Sequence, residues 1–137
     1  MGESNVEVVR RGFAALEEGG VEALLPFIHP EFEATAPAEL SAEPDTYRGP
    51  DGIRRYFASF YEAMDEVNFE PGELRPVGDR VVVRLTLRAR GRTTGIETTQ
   101  SLAQVWELRD SRAIRVESFA TVEEALASAR SAPDFRQ

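Results

Sequence analysis

Apolar residues recur at helical spacing in two segments of the first half of the chain. The first segment carries a stripe that consists of Val6, Val9, Phe13 and Leu16. Ser4 and Glu7 before it have capping-box spacing, and the pair Gly19-Gly20 after it is a typical helix end. The second stripe follows Pro50 and consists of Ile53, Tyr56, Phe57, Phe60 and Met64. The pattern predicts two amphipathic helices, with a short helix near residues 21–25 between them.

The second half of the chain alternates apolar and polar residues with a period of two. The clearest run has Val81, Val83, Leu85, Leu87 and Ala89 at every second position, which predicts a strand with one buried face. Further strands are predicted at residues 32–36, 67–74, 96–109 and 113–120, with turns at 91–95 and 110–112. Thr121 and Glu124 repeat the capping-box spacing before a last helix through Ala129. Residues 37–49 have no clear period and are predicted to form a loop.

Helices gathered first and strands gathered last predict an α+β domain. We expect a single domain over residues 1–137, with a core of about residues 5–129 and a tail at 131–137. The helices are expected to cover one face of a curved sheet. The opposite face would then expose Val82, Ala103 and Val105, and an uncovered apolar patch of this kind predicts a homodimer.

Composition narrows the classes of function. The net charge is −8, which disfavours binding to nucleic acid. All 16 basic residues are Arg, so lysine Schiff-base chemistry is excluded; the bias fits a GC-rich, bacterial coding sequence. With no Cys and one His, disulfides are excluded and neither a metal nor another cofactor is expected. No apolar run suits a membrane span and no secretory signal is evident, so a cytoplasmic location is expected.

The chain resembles the SnoaL-like branch of the NTF2-like superfamily over about residues 5–129. The resemblance rests on the order and spacing of FAAL (13–16), HPEFE (29–33), YRG (47–49), DGIRRYF (51–57), GDRVVV (78–83) and VWELRD (105–110). It implies a cone in which helices pack on a curved antiparallel or mixed sheet and enclose one apolar pocket. Family members commonly dimerise through the sheet. The resemblance does not imply one activity, because this fold supports many.

The catalytic residues of the family are missing at the corresponding positions. Members similar to ketosteroid isomerase use a tyrosine, a carboxylate base and a protonated Asp, where this chain has Gly12, Ala36 and Gln104. Members similar to polyketide cyclases use an Asp on the last strand, where Phe119 stands. Members similar to limonene-epoxide hydrolase need an Asp–Arg–Asp set, and residues 96–109 contain no Asp.

We therefore expect a small-molecule-binding domain without the family's catalytic residues. The predicted pocket consists of Phe13, Phe32, Tyr47, Tyr56, Phe60, Gln104, Trp106 and Phe119. Trp106 also has a simpler interpretation as a core residue. The alternative function is a cofactor-independent isomerase, cyclase or hydrolase that acts on a small apolar metabolite. Glu117 or Glu33 would be its acid or base, unless these carboxylates point away from the pocket.

Overall fold

Three helices and six strands account for most of the chain. The structure, a computed structural model, describes residues 4–36 and 45–131, and it describes residues 36, 45–46, 59–63 and 131 by their backbone alone. The helices are α1 (Asn5–Leu24), α2 (Gly49–Ala63) and α3 (Val122–Ser131), and a 3-10 turn (Leu25–Phe27) follows α1. The strands are β1 (Ile28–Ala36), β2 (Asp45–Arg48), β3 (Met64–Val77), β4 (Arg80–Gly91), β5 (Glu97–Arg109) and β6 (Arg112–Phe119). Within this described part, no helix combines the length and apolarity that a membrane span requires.

The helix boundaries follow the signals in the sequence. The Ser4 hydroxyl accepts a hydrogen bond from the Glu7 backbone N–H at 3.3 Å, which satisfies one of the free donors of the first turn. Gly20 has φ 75° and ψ −164° and interrupts α1 at the predicted place, since glycine adopts positive φ at little cost. At α3, Thr121 and Glu124 cap each other's backbone N–H groups at 3.1 and 3.2 Å. Both predicted N-terminal capping positions are confirmed.

The sheet is mixed and open, with the strand order β2-β1-β6-β5-β4-β3. The pair β1–β6 is parallel, and the other four pairs are antiparallel. Register shifts interrupt the β3–β4, β5–β6 and β1–β6 ladders, and such bulges bend a strand. The α+β class is confirmed. The predicted loop is corrected at its end, because residues 45–48 pair with β1 as β2; residues 37–44 lie outside the described residues.

The two faces of the sheet support separate hydrophobic clusters. The inner face packs against α1 and α2 and contributes Phe32, Ala34, Val81, Val83, Leu85, Leu87, Leu102, Trp106, Leu108 and Val116. The outer face contributes Val82, Ala103 and Val105, and these pack against Ala125 and Ala129 of α3. The expectation that all helices lie on one face is therefore wrong. The outer patch that suggested a homodimer is covered by this chain's own last helix.

The packing of α3 predicts that substitutions at two of its alanines differ sharply in their effect on the free energy of unfolding. Ala125 is 0% exposed against the outer face, whereas Ala127 is exposed. Ala125→Asp places a charge among apolar side chains, and we expect it to lower the free energy of unfolding by about 3 kcal/mol or more. Ala127→Asp, the matched control, should lower it by less than about 1 kcal/mol, mainly through the lower helix propensity of Asp. Urea unfolding followed by circular dichroism measures both, and equal effects would contradict the packing of α3.

Candidate functional site

An apolar cavity lies between the inner face of the sheet and helices α1 and α2. Its volume is about 50 Å³, room for a few water molecules. The lining residues are Phe13, Leu16, Leu24, Ile28, Phe32, Ala34, Thr35, Ile53, Tyr56, Phe57, Phe69, Leu85, Gln104, Trp106, Val116 and Ser118. No charged side chain is among these lining residues. The cavity is therefore suited to uncharged, largely apolar molecules, because an unpaired charge is costly to desolvate.

Aromatic side chains from five elements form much of the wall. Phe13 of α1 contacts Trp106 of β5, with ring centroids 5.2 Å apart and an interplanar angle of 50°. Phe57 of α2 meets Phe69 of β3 edge to face at 5.5 Å, and Tyr56 at 5.4 Å. Edge-to-face contacts at these distances are favourable. They fix the position of the helices over the sheet and supply flat apolar surface to a ligand.

A chain of three polar side chains crosses the floor of the cavity. The Trp106 Nε1–H donates to Gln104 Oε1 at 2.9 Å, and Gln104 Nε2 donates to Ser118 Oγ at 3.4 Å. The strand register produces this arrangement, since Gln104 of β5 is paired with Ser118 of β6. Trp106 lies two residues along β5 on the same face. The amide thus has a hydrogen-bond partner at each end on an otherwise apolar face, as buried polar groups require.

Tyr56 adds a phenol that stays protonated. Burial, and to a smaller extent the neighbouring Tyr47, raises the pKa of Tyr56 to about 12. The two rings meet edge to face with centroids 5.1 Å apart. Because the pKa lies far above neutral pH, the phenol is uncharged under ordinary conditions and cannot serve there as a base.

The structure brings five of the eight predicted pocket residues to the cavity: Phe13, Phe32, Tyr56, Gln104 and Trp106. Tyr47 is 1% exposed and packs behind Tyr56. The side chain of Phe60 lies outside the described side chains. The prediction that Phe119 lines the pocket is wrong, because its side chain packs on the outer face with the residues under α3. Its neighbour Ser118 has the opposite parity on β6 and takes the inward position.

The two candidate carboxylates lie away from the cavity. Glu117 is paired in register with Val105, a residue of the outer cluster, while Val116 and Ser118 on either side of it line the cavity. Glu33 forms an ion pair with Arg48 at 3.5 Å and lines a polar depression together with Glu107, Arg109 and others. The interpretation in which these acids point outward agrees with this geometry. A carboxylate that points into the cavity from either position does not agree with this geometry.

Sequence reasoning missed Ser118 and the apolar residues contributed by neighbouring elements. Ser118 carried a usable signal, because it has the same parity on its strand as Val116. Phe69 and Ile28 carried none, since their approach to the cavity depends on sheet curvature.

Among the described residues, no group of three or more His, Cys, Asp or Glu could hold a metal ion. The arrangement supports recognition of a molecule more directly than proton transfer.

The fold and the cavity together define a class: an α+β domain of the NTF2-like or cystatin-like type with an apolar site under its helices. A family model described as the SnoaL-like domain matches residues 9–116, and the chain belongs to this family. No curated protein matches the chain in sequence.

Solved structures agree with this assignment. An NTF2-like protein from Burkholderia thailandensis is 26% identical, with a TM-score of 0.79, over 93% of this chain and 98% of that chain. TerC, co-crystallised with polyporic acid, is 24% identical, with a TM-score of 0.75, over 94% and 100%. A protein with a ketosteroid isomerase-like fold from Catenulispora acidiphila, in complex with trimethylamine, is 15% identical, with a TM-score of 0.72, over 90% and 92%. The TerC and Catenulispora likenesses establish similarity of fold only.

The raised pKa of Tyr56 predicts a loss of stability at alkaline pH. The folded protein keeps the phenol proton up to about pH 12, whereas the unfolded chain releases it near pH 10. The difference in pKa contributes up to roughly 2–3 kcal/mol to the free energy of unfolding. This contribution is fully present below about pH 10 and is lost as the pH rises toward 12. Urea unfolding at stepwise alkaline pH measures it. Tyr56→Phe has no phenol to ionise, so its free energy of unfolding should fall less steeply in this window. Equal slopes in the two proteins would contradict the shift.

Proposed function

We propose that this SnoaL-like domain binds a small, uncharged and largely apolar molecule in the cavity under α1 and α2. The observation that carries the proposal is an aromatic-lined cavity with no charged side chain among the lining residues that the structure describes. Binding would derive from removal of apolar surface from water. The polar groups at Gln104 and Ser118 would orient the ligand, as a few polar groups do in most small-molecule sites.

Two structural relatives support recognition of small molecules by this fold. TerC was crystallised with polyporic acid, and the Catenulispora acidiphila protein with trimethylamine. These ligands differ from each other, so they support a small-molecule site in general. The nature of the ligand has to be argued from the side chains of this chain's own cavity.

The enzymatic alternative has less support. An isomerase, cyclase or hydrolase of the kind considered needs a base at the reacting atom, and Glu117 and Glu33 lie on the other side of the sheet. Among the lining residues that the structure describes, the ionisable group is Tyr56, which burial keeps neutral by raising its pKa to about 12. Recognition without acid–base chemistry is the function that this arrangement favours.

Assembly and location are further proposals. A homodimer through the sheet is supported by the family resemblance, while the apolar patch first invoked for it is covered by α3. The part of the outer face that α3 does not cover includes the polar depression lined by Glu33, Glu107 and Arg115. A cytoplasmic location and a single domain over residues 1–137 rest on the composition and the periodic pattern alone.

The proposed site predicts that filling the cavity abolishes binding. Ala34 lines the cavity and is 8% exposed, so Ala34→Leu would occupy the space that a ligand needs. Ethylbenzene is a neutral probe that is larger than the 50 Å³ cavity, so its entry requires lining side chains to move apart. Its binding is measured by calorimetry and by the emission of Trp106, the single Trp of the chain. We expect the wild-type protein to bind with a change in emission, and Ala34→Leu to bind at least about tenfold more weakly.

The matched control is Ala58→Leu, which makes the same change at an exposed position of α2 and should bind like the wild type. Circular dichroism establishes that each variant is folded. Wild-type protein that binds none of a set of small neutral aromatic probes would refute the proposed function. Undiminished binding by folded Ala34→Leu would place the site elsewhere.

A further inference from the structure

The polarity of the cavity floor is determined by the indole of Trp106. An indole N–H only donates, and it lies 2.9 Å from an atom of the Gln104 amide. That atom must be the amide oxygen, because an amide nitrogen would present hydrogens to another donor. The oxygen and nitrogen of a glutamine are otherwise hard to distinguish, and a donor-only neighbour resolves the ambiguity.

The orientation of Gln104 then determines the role of Ser118. With its oxygen toward Trp106, the amide directs its nitrogen toward Ser118 Oγ at 3.4 Å. Ser118 accepts this hydrogen bond, and its own hydroxyl hydrogen remains to be donated. Among the side chains and backbone groups that the structure describes, the hydrogen bond from Gln104 is the one that Ser118 makes through its side chain, and no acceptor for the hydroxyl hydrogen is found there. Ser118 is 9% exposed and lines the cavity, so the free donor faces the site.

The same reasoning applies to the second N–H of Gln104, which is not used by Ser118. The floor of the cavity therefore offers hydrogen-bond donors, while the oxygens of Gln104 and Ser118 each accept one hydrogen bond already and keep one further lone pair. Leaving a buried donor without a partner is costly. A ligand that carries an acceptor relieves this cost, and a ligand without an acceptor leaves it in place.

We infer that the cavity selects neutral molecules that carry a hydrogen-bond acceptor, such as an aryl ketone, with Ser118 as the donor and with Gln104 and Trp106 as the groups that hold it in that state. The inference rests on the proposed function and specifies the ligand class of the same site. Carboxylates also accept hydrogen bonds, but the lining carries no cation to offset the loss of their hydration. Ammonium compounds lose hydration as well and bring the wrong hydrogen-bonding polarity.

A set of isosteric probes tests this selection. Acetophenone and α-methylstyrene have the same shape and differ in a carbonyl oxygen against a methylene group. 1-Phenylethanol carries a hydroxyl that both donates and accepts at that position, while benzoate and 1-phenylethylammonium add charges of opposite sign. Calorimetry on the wild-type protein should show acetophenone binding about 3- to 10-fold more tightly than α-methylstyrene, the range that one hydrogen bond contributes. Both charged probes should bind more weakly than α-methylstyrene.

Two variants separate the roles of the donor and of the group that orients it. Ser118→Ala should bring the acetophenone to α-methylstyrene ratio close to 1, with little change for the hydrocarbon. Gln104→Leu removes the amide that donates to Ser118 Oγ, so the Ser118 hydroxyl is no longer held in one orientation. That variant should retain binding of α-methylstyrene but lower the acetophenone to α-methylstyrene ratio. A purely structural role for Gln104 would weaken all probes equally.

Both matched controls lie on β5, the strand of Gln104: Ser101→Ala changes an exposed serine, and Gln100→Leu changes a glutamine outside the cavity lining. Both should reproduce the wild-type ratios. Equal wild-type affinity for acetophenone and α-methylstyrene would overturn the inference while leaving the proposed function intact. An unchanged ratio in folded Ser118→Ala would also overturn it. Failure of every neutral probe to bind would refute the proposed function itself, and this inference with it.

Discussion

The alternation of side chains along β4 and β5 is the constraint on which the rest of the molecule depends. Because successive residues of a strand point to opposite faces, Val81 and Val83 enter the inner cluster while Val82 between them enters the outer one. Each face then has apolar surface that must be removed from water. Helices α1 and α2 cover one face, and α3 covers part of the other. The cavity exists because the curved inner face is not completely filled by the helices above it.

The same alternation separates charge from the cavity in a strongly acidic chain. Glu107 and Arg80 form an ion pair at 3.8 Å, and their side chains are each 12% exposed. The inward neighbour of Glu107 on β5 is Trp106, whose face carries no charge. A charge on that face would have to be desolvated without a partner. The separation explains how a protein of net charge −8 has an uncharged site.

Recognition in this site depends on a few polar atoms held in one orientation. The indole of Trp106 directs the amide of Gln104, and the amide occupies the oxygen of Ser118 as an acceptor. Buried hydrogen-bonded networks of this kind are costly to leave incomplete. The site that we propose thus combines apolar surface with hydrogen-bond donors held in place, and it does so with neutral side chains.

Periodicity and local signals in the sequence were sufficient for the elements themselves. The capping residues Ser4 and Thr121, the helix break at Gly20 and the alternation of β4 act over a few residues, so the sequence alone determined them. Tertiary structure decided which way each face points: α3 packs on the outer face, Glu117 and Phe119 face outward, and Ser118 faces inward. The physical reason is that alternation defines two faces but not which of them is enclosed. That choice depends on sheet curvature and on helices distant in sequence, and the orientation of Gln104 depends on the strand pairing that brings Ser118 beside it.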